Sequence, residues 1–316
     1  MKIPKEHKIK IFSSESWVDY ELLDTGEGEK LERFGRYTFI RPYEEAVWEK
    51  TLKKDWEAAS GKFWSSKVGS KPGWKINKKL EEKWEMEYKG IKFLASPTPF
   101  RHLGFFPEQA VHWDFIEEKI SQRKNSLTLL HPAGGTFRQQ NSSSVRFLNL
   151  FGYTGVASLF ALRAGAEVTH VDASKQILNW AKENQKLSEL EKLPMRVIED
   201  DVIKFLEREI KRGNKYDAVI MDPPKFGRGP KGEVWKLEVM LPKLLVLVQK
   251  VLSSKPLFVI LTSYANSSSS LPPAYALAET MVGFQGEIEA GEMCLLEKSQ
   301  GRLIPLANTA VWSRME

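Results

Sequence analysis

The chain of 316 residues holds a single cysteine, Cys294. That excludes a disulfide framework, a multi-cysteine zinc site and an iron–sulfur cluster. No apolar run approaches the ~18 residues of a membrane span. The opening residues, Met1-Lys2-Ile3-Pro4-Lys5-Glu6, lack the apolar stretch of a secretory signal. A Walker-type phosphate loop, a G-x-S-x-G elbow and metal-ligand spacing among the five histidines are also missing. Charge is nearly balanced: 47 Lys and Arg face 41 Asp and Glu, an excess of +6 that permits a polyanionic partner without demanding one. These absences lead to the expectation of a cytoplasmic enzyme or binding protein with no metal centre and no membrane contact. The length sets a prior of about two domains, each able to bury a core without covalent staples.

No internal repeat is found. Residues 1–95 are rich in Trp and Lys, with six of the ten tryptophans: Trp17, Trp48, Trp56, Trp64, Trp74 and Trp84. Residues 36–40 and 91–94 read as strands, and residues 44–59 as a helix from the spacing of Val47, Leu52 and Trp56. This is expected to be an auxiliary α+β or β-rich domain. Within it, residues 60–80 carry Lys62, Lys67, Lys71, Lys75, Lys78 and Lys79 and no acid. Such a segment suits RNA phosphates, with Trp64 and Trp74 stacking on bases. It equally suits a solvated loop whose tryptophans anchor a core.

The second domain is expected over residues 96–316. Residues 108–121 read as an amphipathic helix, and residues 131–144 as a loop rich in Gly and Ser. Strands then alternate with helices. Strands are expected at 145–150, 167–171, 195–198, 216–221 and 257–262. Helices are expected at 154–164, 174–187, 202–211, 237–252 (with Pro242 near its start or kinking it) and 272–282. Two late strands fall near 288–296 and 309–313. This is the pattern of an α/β fold with a doubly wound, mostly parallel sheet, whose ligands bind beyond the carboxyl ends of the strands.

After the first of these strands comes Asn149-Leu150-Phe151-Gly152-Tyr153-Thr154-Gly155. Its glycines allow a tight turn and close approach to a ligand, and the following helix aims its N–H groups at the same place. The next strand ends in Val171-Asp172, 20 residues after Gly152 in the sequence, the spacing of an acid that binds ribose hydroxyls. A glycine turn plus a carboxylate points to a nucleoside-containing cofactor without saying which. The loop lacks G-x-G-x-x-G, so a pyrophosphate cradle is less well supported. After the third strand, Asp200 and Asp201 offer one carboxylate for an adenine amino group and one to cap the next helix, in either order. The fourth strand ends in Asp222-Pro223-Pro224-Lys225-Phe226-Gly227-Arg228-Gly229. Two prolines stiffen the strand exit and leave carbonyls without competing N–H groups, a platform on which to orient a planar nitrogenous acceptor.

Taken together, these motifs resemble class I S-adenosylmethionine (SAM) methyltransferases, and within them the large-subunit rRNA cytosine-5 methyltransferases, in a subgroup without the PUA domain. The resemblance implies a seven-stranded Rossmann-like sheet whose last strand is antiparallel. It implies SAM held by Gln109, Asn149, Phe151, Gly152, Tyr153, Thr154, Gly155, Asp172, Ala173, Asp200, Asp201 and Asp222. Gln109 enters through Gly104-Phe105-Phe106-Pro107-Glu108-Gln109, similar to the segment that lines the family's cofactor pocket. Asp222, Pro223, Pro224 and Lys225 are the implied catalytic set, and RNA, ribosomal by family, is the implied partner. Arg101 and His102 are further candidates for RNA or acceptor contact. One departure matters: methylation of cytosine carbon 5 needs a thiolate, supplied by the relatives just after the fifth strand, where this chain has Leu261-Thr262-Ser263-Tyr264. A base nitrogen is therefore an equally good acceptor. A protein or small-molecule methyltransferase, or a non-catalytic RNA-binding factor retaining the fold, are the alternatives.

Overall fold

The computed structural model describes residues 8–64, 72–129, 144–264 and 269–315. Along the chain lie β1 (Ile9–Phe12), β2 (Tyr20–Gly26), β3 (Glu29–Phe34), β4 (Tyr37–Pro42), α1 (Lys53–Glu57), β5 (Gly61–Trp64), β6 (Gly73–Ile76), β7 (Trp84–Tyr88) and β8 (Ile91–Ala95). A 3-10 turn, Pro107–Gln109, opens α2 (Ala110–Leu129). Then come β9 (Arg146–Leu150), α3 (Val156–Arg163), β10 (Glu167–Asp172), α4 (Lys175–Leu187), β11 (Met195–Glu199), α5 (Val202–Arg212) and β12 (Ala218–Met221). The chain ends with β13 (Phe226–Arg228), β14 (Val234–Lys236), α6 (Leu237–Val251), β15 (Phe258–Ser263), α7 (Leu271–Thr280), β16 (Glu287–Leu296) and β17 (Leu303–Ser313).

By internal packing the chain forms two compact units. The larger holds residues up to 12, 111–293 and 306 onward; the smaller holds 13–110 and 294–305. The expected division at 95/96 differs from this one for a physical reason. Residues 96–110 pack with the smaller unit, where Trp17 donates its indole N–H to the Pro107 carbonyl (3.1 Å) and stacks near Phe105. Residues 294–305 return to it through Glu297, whose buried carboxylate accepts from the Thr25 N–H at 2.7 Å.

The main sheet has the order β1-β16-β17-β15-β12-β9-β10-β11. β9, β10, β11, β12 and β15 run parallel, and β17 is antiparallel to β15. The seven-stranded sheet is thus present, with β1 added as an eighth strand, parallel to β16. β12 and β15 are buried at every residue, as strands covered on both faces must be. Leu244, Val248 and Val251 of α6 meet Leu148, Val219, Val259 and Leu261 of the sheet in the core. Pro242 lies inside α6 rather than at its start.

The smaller unit has a five-stranded sheet, β2-β3-β4-β5-β6, and the hairpin β7–β8. The helix expected over 44–59 shrinks to Lys53–Glu57. The β2–β3 turn takes its backbone groups: Glu27 N–H bonds the Trp48 carbonyl and Gly28 N–H the Ala46 carbonyl. Asp24 captures the N–H groups of Thr51 and Leu52 and the Trp56 indole, and these bonds hold it at about pKa 2 against the upward push of burial. Trp74 is an anchor, its indole bonded to the Thr98 and Phe100 carbonyls and packed on Phe39 and Phe63. Lys67, Lys71 and nearly all of the loop expected at 131–144 lie outside the described residues.

Candidate cofactor and acceptor sites

β9 has β10 on one side and β12 on the other, so the winding of the sheet reverses there. A crevice opens at such a switch point, beyond the carboxyl ends of the strands. The loops leaving β9, β10, β11 and β12 carry the four sequence motifs, and the fold brings them to one edge.

The loop after β9 turns sharply. Gly152 N–H bonds the Val171 carbonyl (3.0 Å) and Gly155 N–H the Gly152 carbonyl (3.1 Å). Phe151, Tyr153 and Gly155 all have left-handed backbones, with φ of 56°, 51° and 84°. Two of these carry side chains, at a strain of about 1–3 kcal/mol each. Three side chains hold the loop there. Asp172 Oδ2 accepts from Tyr153 N–H (3.0 Å), Asn184 donates to the Thr154 carbonyl (2.9 Å), and His170 Nε2 meets the Tyr153 carbonyl (3.1 Å).

The last contact fixes a proton. A carbonyl only accepts, so His170 carries its hydrogen on Nε2, and Nδ1 accepts from the Ser158 hydroxyl at 3.0 Å. Ser158 Oγ in turn accepts from the Asn149 amide at 3.0 Å. Burial lowers the pKa of His170 to about 4, so the ring is neutral in this chain of bonds. A Cβ on Gly152 would lie 2.3 Å from His170 Cε1; only glycine lets the loop lie on the imidazole. Asn149, expected among the cofactor residues, braces the loop from below.

Asp172 is part-buried at the end of β10. Burial raises its pKa, while N–H groups of Ser174, Tyr153 and Ala173 pull the other way. The cap of α4 is Ser174, which accepts from Ile177 N–H. Asp172 is therefore not the helix cap; its oxygens accept the Tyr153 and Ser174 N–H groups at about 3.0 Å each, with the Ala173 N–H beside them. A carboxylate has about four acceptor sites, so capacity remains for hydroxyl donors. After β11, Asp201 caps α5 through the Lys204 N–H (3.0 Å), and Asp200 pairs with Arg208. The two-way choice between these acids resolves with Asp201 as the cap.

On the other side of β9, Asp222 follows β12, with Pro223 buried and Pro224 and Lys225 exposed. The carbonyls there are less free than the prolines suggest. Pro224's accepts from the Trp235 indole (2.6 Å) and Lys225's from Leu237 N–H (3.0 Å). Trp235 sits on the β13–β14 hairpin and meets Phe151 edge-to-face, ring centroids 4.9 Å apart. It therefore ties the Asp222–Lys225 turn to the Phe151–Gly155 loop. Sequence reasoning missed Trp235, although the turn signal Gly229-Pro230-Lys231-Gly232 marks the hairpin. It also missed His170 and Asn184; polar residues inside otherwise apolar elements were their signal.

Gln109 lies buried on the 3-10 turn of the smaller unit. In that unit His102 is held at about pKa 3 by burial and Arg41, and Arg101 is exposed. Ser263 ends β15 and is paired in register with Asn308 of β17. Cys294 is a buried thiol on β16, not a residue following β15. Among the described residues, no three His, Cys, Asp or Glu are placed to share a metal ion, and no helix is long and apolar enough to cross a membrane.

The donor set suits SAM. Asp172 offers acceptor capacity to a pair of ribose hydroxyls, Asp200 stands one strand further out, and Phe151–Gly155 contains no Lys or Arg to repel a sulfonium. The family model for S-adenosylmethionine-dependent methyltransferases matches residues 107–273. A SAM-dependent methyltransferase crystal structure from Agrobacterium tumefaciens is 36% identical, covering 99% of this chain and 98% of that one with a TM-score of 0.86. Ribosomal RNA large subunit methyltransferase I of Aeromonas salmonicida is 41% identical over 131 residues, 37% of this chain and 33% of the relative. Ribosomal RNA large subunit methyltransferase K/L of Pseudoalteromonas translucida is 36% identical over 129 residues, 40% of this chain and 18% of the relative. The chain thus spans a third or less of the length of these two curated relatives. With more than half of its residues inside the family model, the chain belongs to the S-adenosylmethionine-dependent methyltransferases.

Proposed function

We propose that the chain transfers the methyl group of SAM to a base of RNA, with ribosomal RNA the first substrate to test. The observation that carries this reading is the Trp235 clamp. It ties the Asp222-Pro223-Pro224-Lys225 turn to the Phe151–Gly155 loop, which supports reading the two as acceptor and donor sites side by side. The names of the curated relatives support RNA as the acceptor.

When bound, SAM supplies an electrophilic methyl on a positively charged sulfur. Asp172 would hold its ribose, Asp200 its adenine side, and Phe151–Gly155 and Ala173 its remaining contacts. Asp222 and the Pro223 carbonyl accept hydrogen bonds from the N–H edge of a base and orient its nucleophilic atom, with Lys225 beside them. Holding two reactants in near-attack geometry supplies most of the acceleration such a displacement needs. No cysteine stands directly after β15, where the chain continues Tyr264-Ala265-Asn266, and a serine hydroxyl is a poor nucleophile without an adjacent base. Transfer therefore proceeds without a covalent enzyme–base adduct, which favours a base nitrogen over cytosine carbon 5.

The test is transfer of radiolabelled methyl from SAM to total RNA and to protein extract, both from cells lacking the gene. Label in RNA, concentrated in ribosomal RNA, supports the reading. Label confined to protein or small molecules overturns it.

A further inference from the structure

The β13–β14 hairpin does more than carry Trp235. Its register pairs Phe226 with Lys236, Gly227 with Trp235 and Arg228 with Val234. Side chains alternate between the faces of a strand. Gly227 and Trp235 therefore face inward, where Trp235 is buried, and Phe226, Arg228, Val234 and Lys236 all face out and are exposed. Phe226 is 56% exposed. Among the described residues the hairpin pairs with no other strand.

Its charge is one-sided. From Lys225 to Lys236 there are four cations, Lys225, Arg228, Lys231 and Lys236, against one acid, Glu233. That acid is already used: it pairs with Lys204 and accepts the Lys231 N–H at 2.9 Å. The outward face thus offers a bare aromatic ring flanked by cations, beginning one residue past the acceptor turn. A ring that stacks on any base, beside cations that meet a phosphate backbone, is the chemistry of single-stranded nucleic-acid binding.

We propose that this face is the docking strip for the RNA strand adjoining the target base, with Phe226 as stacking platform and Arg228 and Lys236 as phosphate partners. The proposal rests on the reading that the acceptor is RNA. It adds the surface that grips the strand outside the methyl-transfer site.

Fluorescence anisotropy of a labelled, unstructured RNA of about 20 nucleotides with the full chain, over about 50–200 mM salt, tests it. The double variant Arg228→Glu/Lys236→Glu should weaken binding at least about tenfold. It should also flatten the log–log salt slope by about 1.4, two single-strand phosphate contacts at about 0.7 each. Phe226→Ala should weaken binding about fivefold with the slope unchanged, the lower end of one base–aromatic stack. SAM affinity by calorimetry should match wild type in each variant, which shows that the cofactor loop is intact. If the double variant does not fold, Lys236→Ala alone should flatten the slope by about 0.7. Variants that bind RNA as wild type does, with the same slope, overturn the hairpin assignment and leave the RNA reading standing. A wild-type chain that shows no salt-dependent RNA binding and labels only protein overturns both.

Discussion

Beneath the Gly152 loop of the larger unit, neutral groups pass hydrogen bonds in one direction, from Asn149 to Ser158 to His170 to the Tyr153 carbonyl. In the smaller unit, Glu32 is fully buried and meets Arg41 through two bonds of 2.6 and 2.5 Å, Lys30 at 3.3 Å and the Tyr20 hydroxyl at 2.8 Å. Burial pushes the Glu32 carboxyl up, and Arg41 and Lys30 outweigh it and hold it at about pKa 2. A satisfied neutral chain is cheap to bury and holds one loop in shape. A buried ion cluster carries a large desolvation cost and is stable only while every partner is present. The first serves a site; the second joins β3 to β4.

The sharpest way to test that contrast is to remove one partner from the ionic cluster. Arg41→Ala strips buried Glu32 of its two shortest bonds and leaves Lys30 at 3.3 Å as its remaining cation, and should destabilise the protein by about 3 kcal/mol in guanidinium unfolding. Replacing the cluster together, Arg41→Met and Lys30→Met with Glu32→Leu, should recover most of that loss, because none of its three charges is left behind. A small effect of Arg41→Ala, matching that of Ser158→Ala under the neutral chain, would erase the distinction.

Acid separates the networks by their windows. His170 titrates at about 4 in the folded chain and at about 6.5 when unfolded. The unfolded state therefore binds the extra proton first, and stability falls as pH drops from 6.5 to 4, by up to about 3 kcal/mol. Glu32 has its folded pKa below the unfolded 4.5. Its contribution is complete above 4.5 and is lost as pH falls toward 2. His112 and His102, both held at about 3, titrate across the upper window as well, so the measurement is a difference. Stability curves of wild type and His170→Asn should converge between pH 6.5 and 4. Parallel curves would mean that the imidazole is not held neutral.

The two networks also differ in how far the sequence announced them. The alternation of strands and helices after residue 145, and the turns after each strand, were legible because period and glycine placement are local signals. Asp172 and Asp222 followed from their position at strand ends. His170 read as one more residue of a buried strand. Its role depends on Ser158, 12 residues away, and on a missing Cβ at Gly152. Glu32 and Arg41 become diagonal neighbours across β3 and β4 only once the sheet is built. The helix expected at 44–59 failed because the bonds that unmade it come from Asp24 and the β2–β3 turn. Contacts between distant segments carry no local pattern.

Asp172 tests whether brace and ligand can be one residue. Its carboxylate accepts the Tyr153 and Ser174 N–H groups and, in the proposed role, two ribose hydroxyls. Each hydrogen bond to a charged group is worth roughly 1.5–3 kcal/mol. Asp172→Ala should weaken SAM binding at least about tenfold by calorimetry and lower apo stability by about 1–2 kcal/mol through the N–H groups it frees. Asp172→Asn keeps an acceptor for one N–H and should lose less stability than affinity. Unchanged affinity in both variants would reduce Asp172 to a brace like Asn149.

The smallest expected effect lies one strand further out, where two adjacent acids divide their work. Asp201 accepts the Lys204 N–H at the start of α5, a cap worth about 1 kcal/mol. Asp200 gives one oxygen, Oδ2, to exposed Arg208. An ion pair with an exposed partner contributes little to stability, roughly 0–1 kcal/mol. Asp201→Ala should therefore lower stability by about 1 kcal/mol and leave SAM affinity unchanged. Asp200→Ala should do the reverse, weakening SAM binding severalfold with stability nearly intact. Arg208→Ala distinguishes a ligand from a partner of arginine. If Asp200 serves adenine, freeing it from Arg208 leaves SAM affinity equal or tighter. A loss of affinity in Arg208→Ala as large as in Asp200→Ala would mean that the pair, and not the carboxylate, shapes that end of the site.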